Sequence, residues 1–377
     1  MSTTRLALIG TGGHGRGHLA QGLRMHEEGT VRLVAVADPH PPAAEELPDG
    51  AARFSGGADL LATASADVVV ICTPIHTHYE LAAAALEAGM DVLLEKPTTA
   101  TLDEFERLSG LAERSGRLVQ VGFQSLGSGA IGLIRSRVAA GAIGEVVRYG
   151  ATGAWVRADA YWSRSAWAGR RTLGGRVVAD GVLTNPLAHA TATALALAGA
   201  TRTTDVHSLE VDLWHANDIE ADDTSVAIFG LDSGLRLTTA VTLAAAAQTD
   251  PYVEVVGTEG AIRLWYTKDV VERRDLDGTV LDATTTDRAD LLENLLAARA
   301  GAARLFAPIA ETGAFMRLVD RVVDSPAPRR VAAETVSAVN DAAGHHLVIS
   351  GIEEQLDLAL RRERTFSELG SAFTVVS

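Results

Sequence analysis

The run Leu6-Ala7-Leu8-Ile9-Gly10-Thr11-Gly12-Gly13-His14-Gly15 decides the fold. Four apolar residues without alternation describe a strand covered on both faces. G-x-G-x-x-G follows at once and runs into a helical pattern. In such a turn Gly10 permits the tight bend, Gly12 lets the backbone approach a pyrophosphate, and Gly15 lets the helix pack on the strand. Amides near Gly13 and His14 then offer N–H groups and the helix dipole to phosphates. A bare match says little, but its context adds weight. Asp38 closes the second strand 23 residues after Gly15, near the spacing of about 20 expected for the acid that accepts ribose hydroxyls. A carboxylate there repels a 2′-phosphate, so NAD is expected over NADP.

Apolar runs at 6–9, 31–37, 68–72, 92–94 and 118–121 alternate with helical patterns, as βαβ units around a parallel sheet do. Thr77-His78-Tyr79-Glu80 and Thr101-Leu102-Asp103-Glu104 read as capping boxes that start two helices, which Gly89 and Gly116 end. After Gln124 the texture changes. Residues 131–140 look helical and Gly144 leads into a strand. From residue 204 period-two alternation takes over, with Leu209, Val211 and Leu213, then Leu235, Leu237, Thr239, Val241 and Leu243. That pattern predicts an open, mainly antiparallel sheet whose second face must be covered, subunit pairing being one way. Helical patterns return at 287–300, 309–323 and 332–362. The expected architecture is α/β: a doubly wound Rossmann domain over 1–124, then an α+β substrate-binding and oligomerisation domain over 125–377.

Composition narrows the function. The 377 residues carry a formal charge of −15, which argues against nucleic acid or an anionic membrane as partner. Cys72 is the only cysteine, so neither an intrachain disulfide nor a cysteine cluster for zinc can form. No signal-peptide pattern and no apolar run of membrane-spanning length is visible, and a cytoplasmic location is expected. Asp212, His215, Asp218, Asp222 and Asp223 fit no usual zinc or calcium spacing, and His345-His346 on a helix would face different sides, so no metal is expected.

Only two lysines, Lys96 and Lys268, stand among 33 basic residues. A lysine kept where arginine is the rule is a candidate for its own chemistry, because a partly buried lysine can move a proton and an arginine cannot. Lys96 lies in Leu93-Leu94-Glu95-Lys96-Pro97, where a strand runs out into a turn at the ligand-binding end of such a sheet. Lys268 has a polar, turn-like setting and reads as a surface charge.

Taken together, Gly10 to Gly15, Asp38, Cys72-Thr73-Pro74-Ile75-His76-Thr77-His78 and Glu95-Lys96-Pro97 resemble the glucose–fructose oxidoreductase / inositol dehydrogenase / rhizopine-catabolism (Gfo/Idh/MocA) family. The resemblance implies NAD(P)-linked oxidation or reduction of a sugar, polyol or related compound, in homodimers or homotetramers paired through the second sheet. It also implies that Thr73, Pro74 and His76 line the cofactor, that Glu95 and Lys96 flank the nicotinamide, and that Gln124 enters the site.

The family's catalytic stretch reads roughly G-G-G-x-x-x-D-x-G-x-H-x-x-D. Here, counting from Gly174-Gly175 puts Asp180 at the aspartate and Thr184 at the histidine. Counting back from Gly199 puts His189 at the histidine and Asn185 at the aspartate, five residues away. His189 is the expected catalytic histidine, since imidazole is the side chain best poised to take a proton near neutral pH. Asn185 cannot supply negative charge, so Asp180 is the expected acidic partner. Upstream, Trp162, Arg164, Trp167 and Arg170 suit stacking on a sugar face and binding its hydroxyls; packing explains them equally well. The expected reaction is hydride transfer between a secondary hydroxyl and NAD, with Lys96 on the developing alkoxide. A redox-neutral glycoside-cleaving enzyme that retains its NAD, and a non-catalytic NAD-binding sensor or scaffold, are the alternatives.

Overall fold

The computed structural model describes residues 3–375. They divide into two compact units, residues 3–123 with Asp290–Ala310, and Gln124–Ala289 with residues 311–375.

Strands of the first unit, numbered in chain order, are β1 (Thr4–Ile9), β2 (Val31–Ala37), β3 (Ala52–Phe54), β4 (Val68–Ile71), β5 (Asp91–Leu94) and β6 (Val119–Val121). They form one sheet in the order 3-2-1-4-5-6 with every pairing parallel. The order reverses direction between β1 and β4, which opens a crevice at the carboxyl ends of the strands there. Helices α1 (Gly15–Glu27), α2 (Gly57–Thr63), α3 (His78–Glu87) and α4 (Leu102–Ser115) connect them. Half of the expected box at α4 forms: Thr101 Oγ1 accepts the Glu104 amide at 3.2 Å, while the Glu104 carboxylate accepts the Ala100 amide at 3.1 Å instead of that of Thr101, and Gly116 ends the helix at φ 63°. The first capping box is a correction. Thr77 donates its hydroxyl to the Pro74 carbonyl at 2.8 Å and makes no side-chain cap on α3.

The boundary at 124 misses one return of the chain. Helix α8 (Leu291–Arg299) lies in the first unit, where Leu291, Leu292 and Leu295 join Leu6, Leu8, Met25, Val31 and Val70 in one core. Buried polar groups fix the return. The Gln120 amide donates to Asn294 Oδ1 at 2.7 Å and accepts the Ala307 amide at 3.0 Å, while Arg299 pairs with Asp91.

The second unit holds a nine-stranded sheet in the order 16-15-14-13-7-12-11-10-17. Its strands are β7 (Val146–Ala154), β10 (Val206–His215), β11 (Thr224–Leu231), β12 (Arg236–Thr242), β13 (Tyr252–Gly257), β14 (Gly260–Trp265), β15 (Val270–Arg274), β16 (Val280–Thr285) and β17 (Arg329–Arg330). β8 (Thr172–Leu173) and β9 (Arg176–Val177) form a separate hairpin. All pairings in the large sheet are antiparallel except β7 with β12 and β10 with β17. Helices α5 (Ala130–Ala139), α6 (Asp159–Trp162), α7 (Ala188–Ala198) and α9 (Gly313–Asp324) accompany it. Helix α7 packs on β7, β12 and β13, where Thr191 Oγ1 donates to Thr239 Oγ1 at 3.1 Å.

The opposite face of the sheet is closed by the chain itself. Val226, Ile228, Ala240 and Ala154 pack against Ile352, Leu356, Ala359 and Leu360 of α10 (Ile352–Arg362), with Phe366 of α11 (Phe366–Leu369) and Phe373. The open face from which subunit pairing was argued is therefore not open over β11 and β12. A second correction concerns 332–362. Only its end is helical, and β18 (Val336–Asp341) and β19 (Gly344–Ile349) form a hairpin before it. Its turn is built by Asp341, whose Oδ1 accepts the Ala343 amide, and by Gly344 at φ 99°. His345 and His346 thus sit on a strand, and alternation sends one out to Asp159 and buries the other.

Candidate active site

In the first unit three loops leave neighbouring strands at the same end of the sheet: Gly10 to Gly15 after β1, Cys72 to Pro74 after β4, and Glu95 to Pro97 after β5. Sterics dictate two of the glycines. A Cβ on Gly10, at φ 88°, would stand 2.0 Å from the Cys72 carbonyl oxygen, and one on Gly15 would stand 2.1 Å from that of Gly10. Gly13 is different, because a Cβ there meets nothing within 4 Å. Backbone is packed beneath the loop, and its tip faces open space at the start of α1. The loop thus forms a cradle of glycine backbone at a helix N-terminus, a setting suited to anions.

Asp38 follows β2 and holds that cradle. Its Oδ2 accepts the amides of Thr11 at 2.8 Å and Gly12 at 3.1 Å, and its Oδ1 accepts the His40 amide at 2.9 Å. Burial opposes ionisation, but these amides outweigh it and keep the carboxyl below its ordinary range.

His78 ties the other two loops together. Wholly buried, its Nδ1 lies 2.9 Å from the Pro97 carbonyl and its Nε2 2.8 Å from that of Thr73. Burial lowers its pKa against the pull of those carbonyls. Thr73 Oγ1 meets Thr77 Oγ1 at 2.7 Å, Pro74 is exposed, and His76 is half-buried in the turn that follows. Lys96 is also half-buried, and its amide donates to the Glu95 carboxylate at 3.1 Å.

Glu95 is buried, with its Oε1 2.9 Å from His18 Nε2 and 3.4 Å from His14 Nε2. Burial penalises the charge, but His14 and His18 overcome it and hold the carboxyl well below its usual range. The same contact raises the pKa of His14. The half-buried Cys72 thiol is pushed up to about 12, first by desolvation and then by Glu95, which keeps it protonated.

In the second unit, Gly174 and Gly175 are the two-residue turn of the β8–β9 hairpin, both at positive φ, 56° and 79°. The loop after it is heavily braced. Ala179 adopts φ 45°, and buried Thr184 donates to its carbonyl. Thr184, one of two positions where counting places the histidine, is thus a structural brace. Asp180 is buried and accepts from Arg164 Nη2 on both oxygens, at 2.8 and 2.7 Å, from the Gly169 amide at 2.7 Å and from the Asn185 side chain. The Arg164 guanidinium thus meets the charge of this buried carboxylate. His189, on the first turn of α7, has its Nδ1 3.5 Å from Ser125 Oγ, which in turn accepts from Thr193 at 2.8 Å. Gln124 is exposed at the start of the same unit.

Arg164 stacks on Tyr161 at 3.8 Å and on Trp167 at 4.7 Å. Trp162 abuts Tyr161 edge-on, and its buried Nε1 has no hydrogen-bond partner among the described residues. Arg170 is exposed and paired with Glu220.

Comparison with known proteins places this arrangement. The family described as oxidoreductase family, NAD-binding Rossmann fold, matches residues 4–123, and the GFO/IDH/MocA C-terminal domain matches residues 131–263. The chain belongs to the Gfo/Idh/MocA family. Similar curated proteins include inositol 2-dehydrogenase 1 of Saccharopolyspora erythraea, 35% identical over 38% of this chain and 44% of that protein. Another is scyllo-inositol 2-dehydrogenase (NAD(+)) of Bacillus subtilis, 32% identical over 38% and 43%. The chain thus spans under half the length of these relatives. Among solved structures, the WlbA dehydrogenase of Bordetella pertussis in complex with NADH and UDP-GlcNAcA superposes with a TM-score of 0.69 at 22% identity, covering 85% of this chain and 95% of that one. That likeness concerns the fold.

Within this Gfo/Idh/MocA chain, the sequence carries no signal for Ser125, shows His18 only as a helix residue and His78 only as a helix start, and offers Asp222 only as one of an acidic pool. Gly181 marks the last of these, since a Cβ there would stand 1.8 Å from Asp222 Oδ1. The five residues of the acidic pool have fold-internal roles or lie at the surface. Asp212 accepts from Trp214 and Arg329, Asp223 from Asn217 and Ala216, and Asp222 from Ser225, while His215 meets the Asn217 carbonyl and Asp218 is exposed.

Proposed function

We propose that this protein is an NAD-dependent dehydrogenase acting on a secondary hydroxyl of a sugar, cyclic polyol or sugar derivative. One observation carries the reading: a half-buried lysine follows β5 at the same strand ends as a glycine cradle braced by Asp38. Gly10, Gly12, Gly13, His14 and Gly15 would hold the pyrophosphate, with Asp38 at the ribose. Thr73, Pro74, His76, Glu95 and Gln124 would line the remainder of the cofactor. NAD, when bound, supplies the hydride acceptor. Lys96 Nζ donates a hydrogen bond to the substrate oxygen and stabilises the negative charge growing there. The imidazole of His189 takes the hydroxyl proton. Asp180 and Asn185 act one step back, since their mutual hydrogen bond and the Arg164 pair fix the loop that leads into α7. Trp162, Trp167, Arg164 and Arg170 would border the sugar, with Arg164 already anchored by Asp180.

The test is an absorbance assay with NAD and a panel of inositols, free sugars and nucleotide sugars. Formation of NADH with at least one supports the reading. Release of glycoside products with no net NADH would replace it with the redox-neutral alternative.

A further inference from the structure

His14 and His18 sit one turn apart at the start of α1, the i and i+4 spacing that puts two imidazoles on one helix face. Glu95 reaches them from 77 residues beyond His18 in sequence. One nitrogen from each histidine and a carboxylate oxygen of Glu95 all lie within 4.8 Å of one another. A tetrahedral ion with bonds of about 2.0–2.1 Å needs ligand atoms roughly 3.3 Å apart. The Glu95 Oε1 separations of 3.4 Å from His14 and 2.9 Å from His18 are close to that value.

The carboxylate is also fixed in place before any ion arrives. Its Oε2 accepts the Lys96 amide, which leaves Oε1 to the histidines. It packs where Gly122 has no side chain, since a Cβ there would stand 2.7 Å from Oε2. Such support is what orients metal ligands in built sites. The His14 side chain is 63% exposed, so an ion can reach the cluster from solvent. Two imidazoles and a carboxylate suit zinc and its neighbours and disfavour magnesium and calcium.

We propose that His14 Nε2, His18 Nε2 and Glu95 Oε1 bind one divalent zinc-class ion in the cofactor-free protein. The ion takes the place of the protons shared between the imidazoles and the carboxylate, so its uptake releases protons and tightens as pH rises. The proposal goes beyond the dehydrogenase reading and stands or falls without it, because no dinucleotide or substrate enters the test.

Protein stripped with chelator is dialysed against Zn²⁺ and its metal content measured, and Co²⁺ absorption reports the coordination geometry. The expected result is one Zn²⁺ per chain at about 1 µM free ion and the intense visible bands of four-coordinate Co²⁺. Affinity should fall about 10- to 100-fold in His14→Ala and in His18→Ala. His207→Ala, an exposed histidine of the second unit, should bind as the wild type does. His14 is exposed, so its variant keeps the test meaningful if His18→Ala fails to fold. Less than one ion per chain at that concentration, undiminished affinity in His14→Ala, or weak six-coordinate Co²⁺ bands overturns the proposal.

Discussion

Asp38 makes the residue scale concrete, because one carboxylate braces the glycine loop and is also the group proposed to read the ribose. Its lowered pKa says that the fold holds it charged, and a fixed negative charge disfavours a 2′-phosphate. Asp38→Ser should weaken NAD about tenfold and narrow the gap between NAD and NADP, as isothermal titration with both nucleotides would measure. Unchanged discrimination would locate the ribose elsewhere. His14 offers a pH test at the same scale. Its folded pKa is raised by Glu95, so its contribution to stability is present below its ordinary value of about 6.5 and fades as pH climbs through the folded one. His14→Ala should therefore cost stability at pH 6 and cost less at pH 8.5 in urea titrations. A penalty independent of pH would show that the imidazole acts by packing.

Elements carry the next set of expectations. The loop between β9 and α7 rests on Asp222, which burial pushes up to about 6 against the Ser225 hydroxyl and the Leu183 amide. A carboxyl raised in the folded state stabilises at low pH and loses that contribution as pH rises through about 6. From pH 5 to 7.5 this group alone should remove roughly 1 kcal/mol from the wild type. Asp222→Asn should remove that part of the pH dependence, which denaturant melts at the two pH values would reveal; an identical slope in both proteins contradicts it. On the other side of the sheet, Leu356 of α10 is buried against Val226 and Ile228, and Leu356→Ala should cost about 2–5 kcal/mol. A cost below about 0.5 kcal/mol, the level of surface substitutions, would mean that α10 is only loosely held.

At the scale of the whole molecule, what the sequence announced was what local patterns encode. Val68 to Ile71 could be read because β-branched runs covered on both faces leave a simple trace, and the glycine loop because sterics admit nothing else at Gly10 and Gly15. The short β3 and α2 went unread because three and seven residues are too few to show a period. The hairpin at 336–349 was hidden in alanine- and valine-rich sequence, where a single Asp341–Gly344 turn was the only signal. Helix α8 was seen, but its place in the first unit depends on Gln120 meeting Asn294, a contact that no spacing announces. His18 and Ser125 matter only through partners distant in sequence, so they looked like ordinary helix and loop residues. The arginine that meets Asp180 was visible in the sequence, but its pairing was not.

Hydride transfer assisted by Lys96 is the central claim, and Lys96→Ala tests it most directly. Titration calorimetry of this variant with NAD, alongside its initial rate of NADH formation on whichever polyol or sugar the wild type oxidises, separates binding from chemistry. The account predicts NAD affinity within a few-fold of wild type and turnover lower by about 10²- to 10⁴-fold. Wild-type turnover in Lys96→Ala would contradict it.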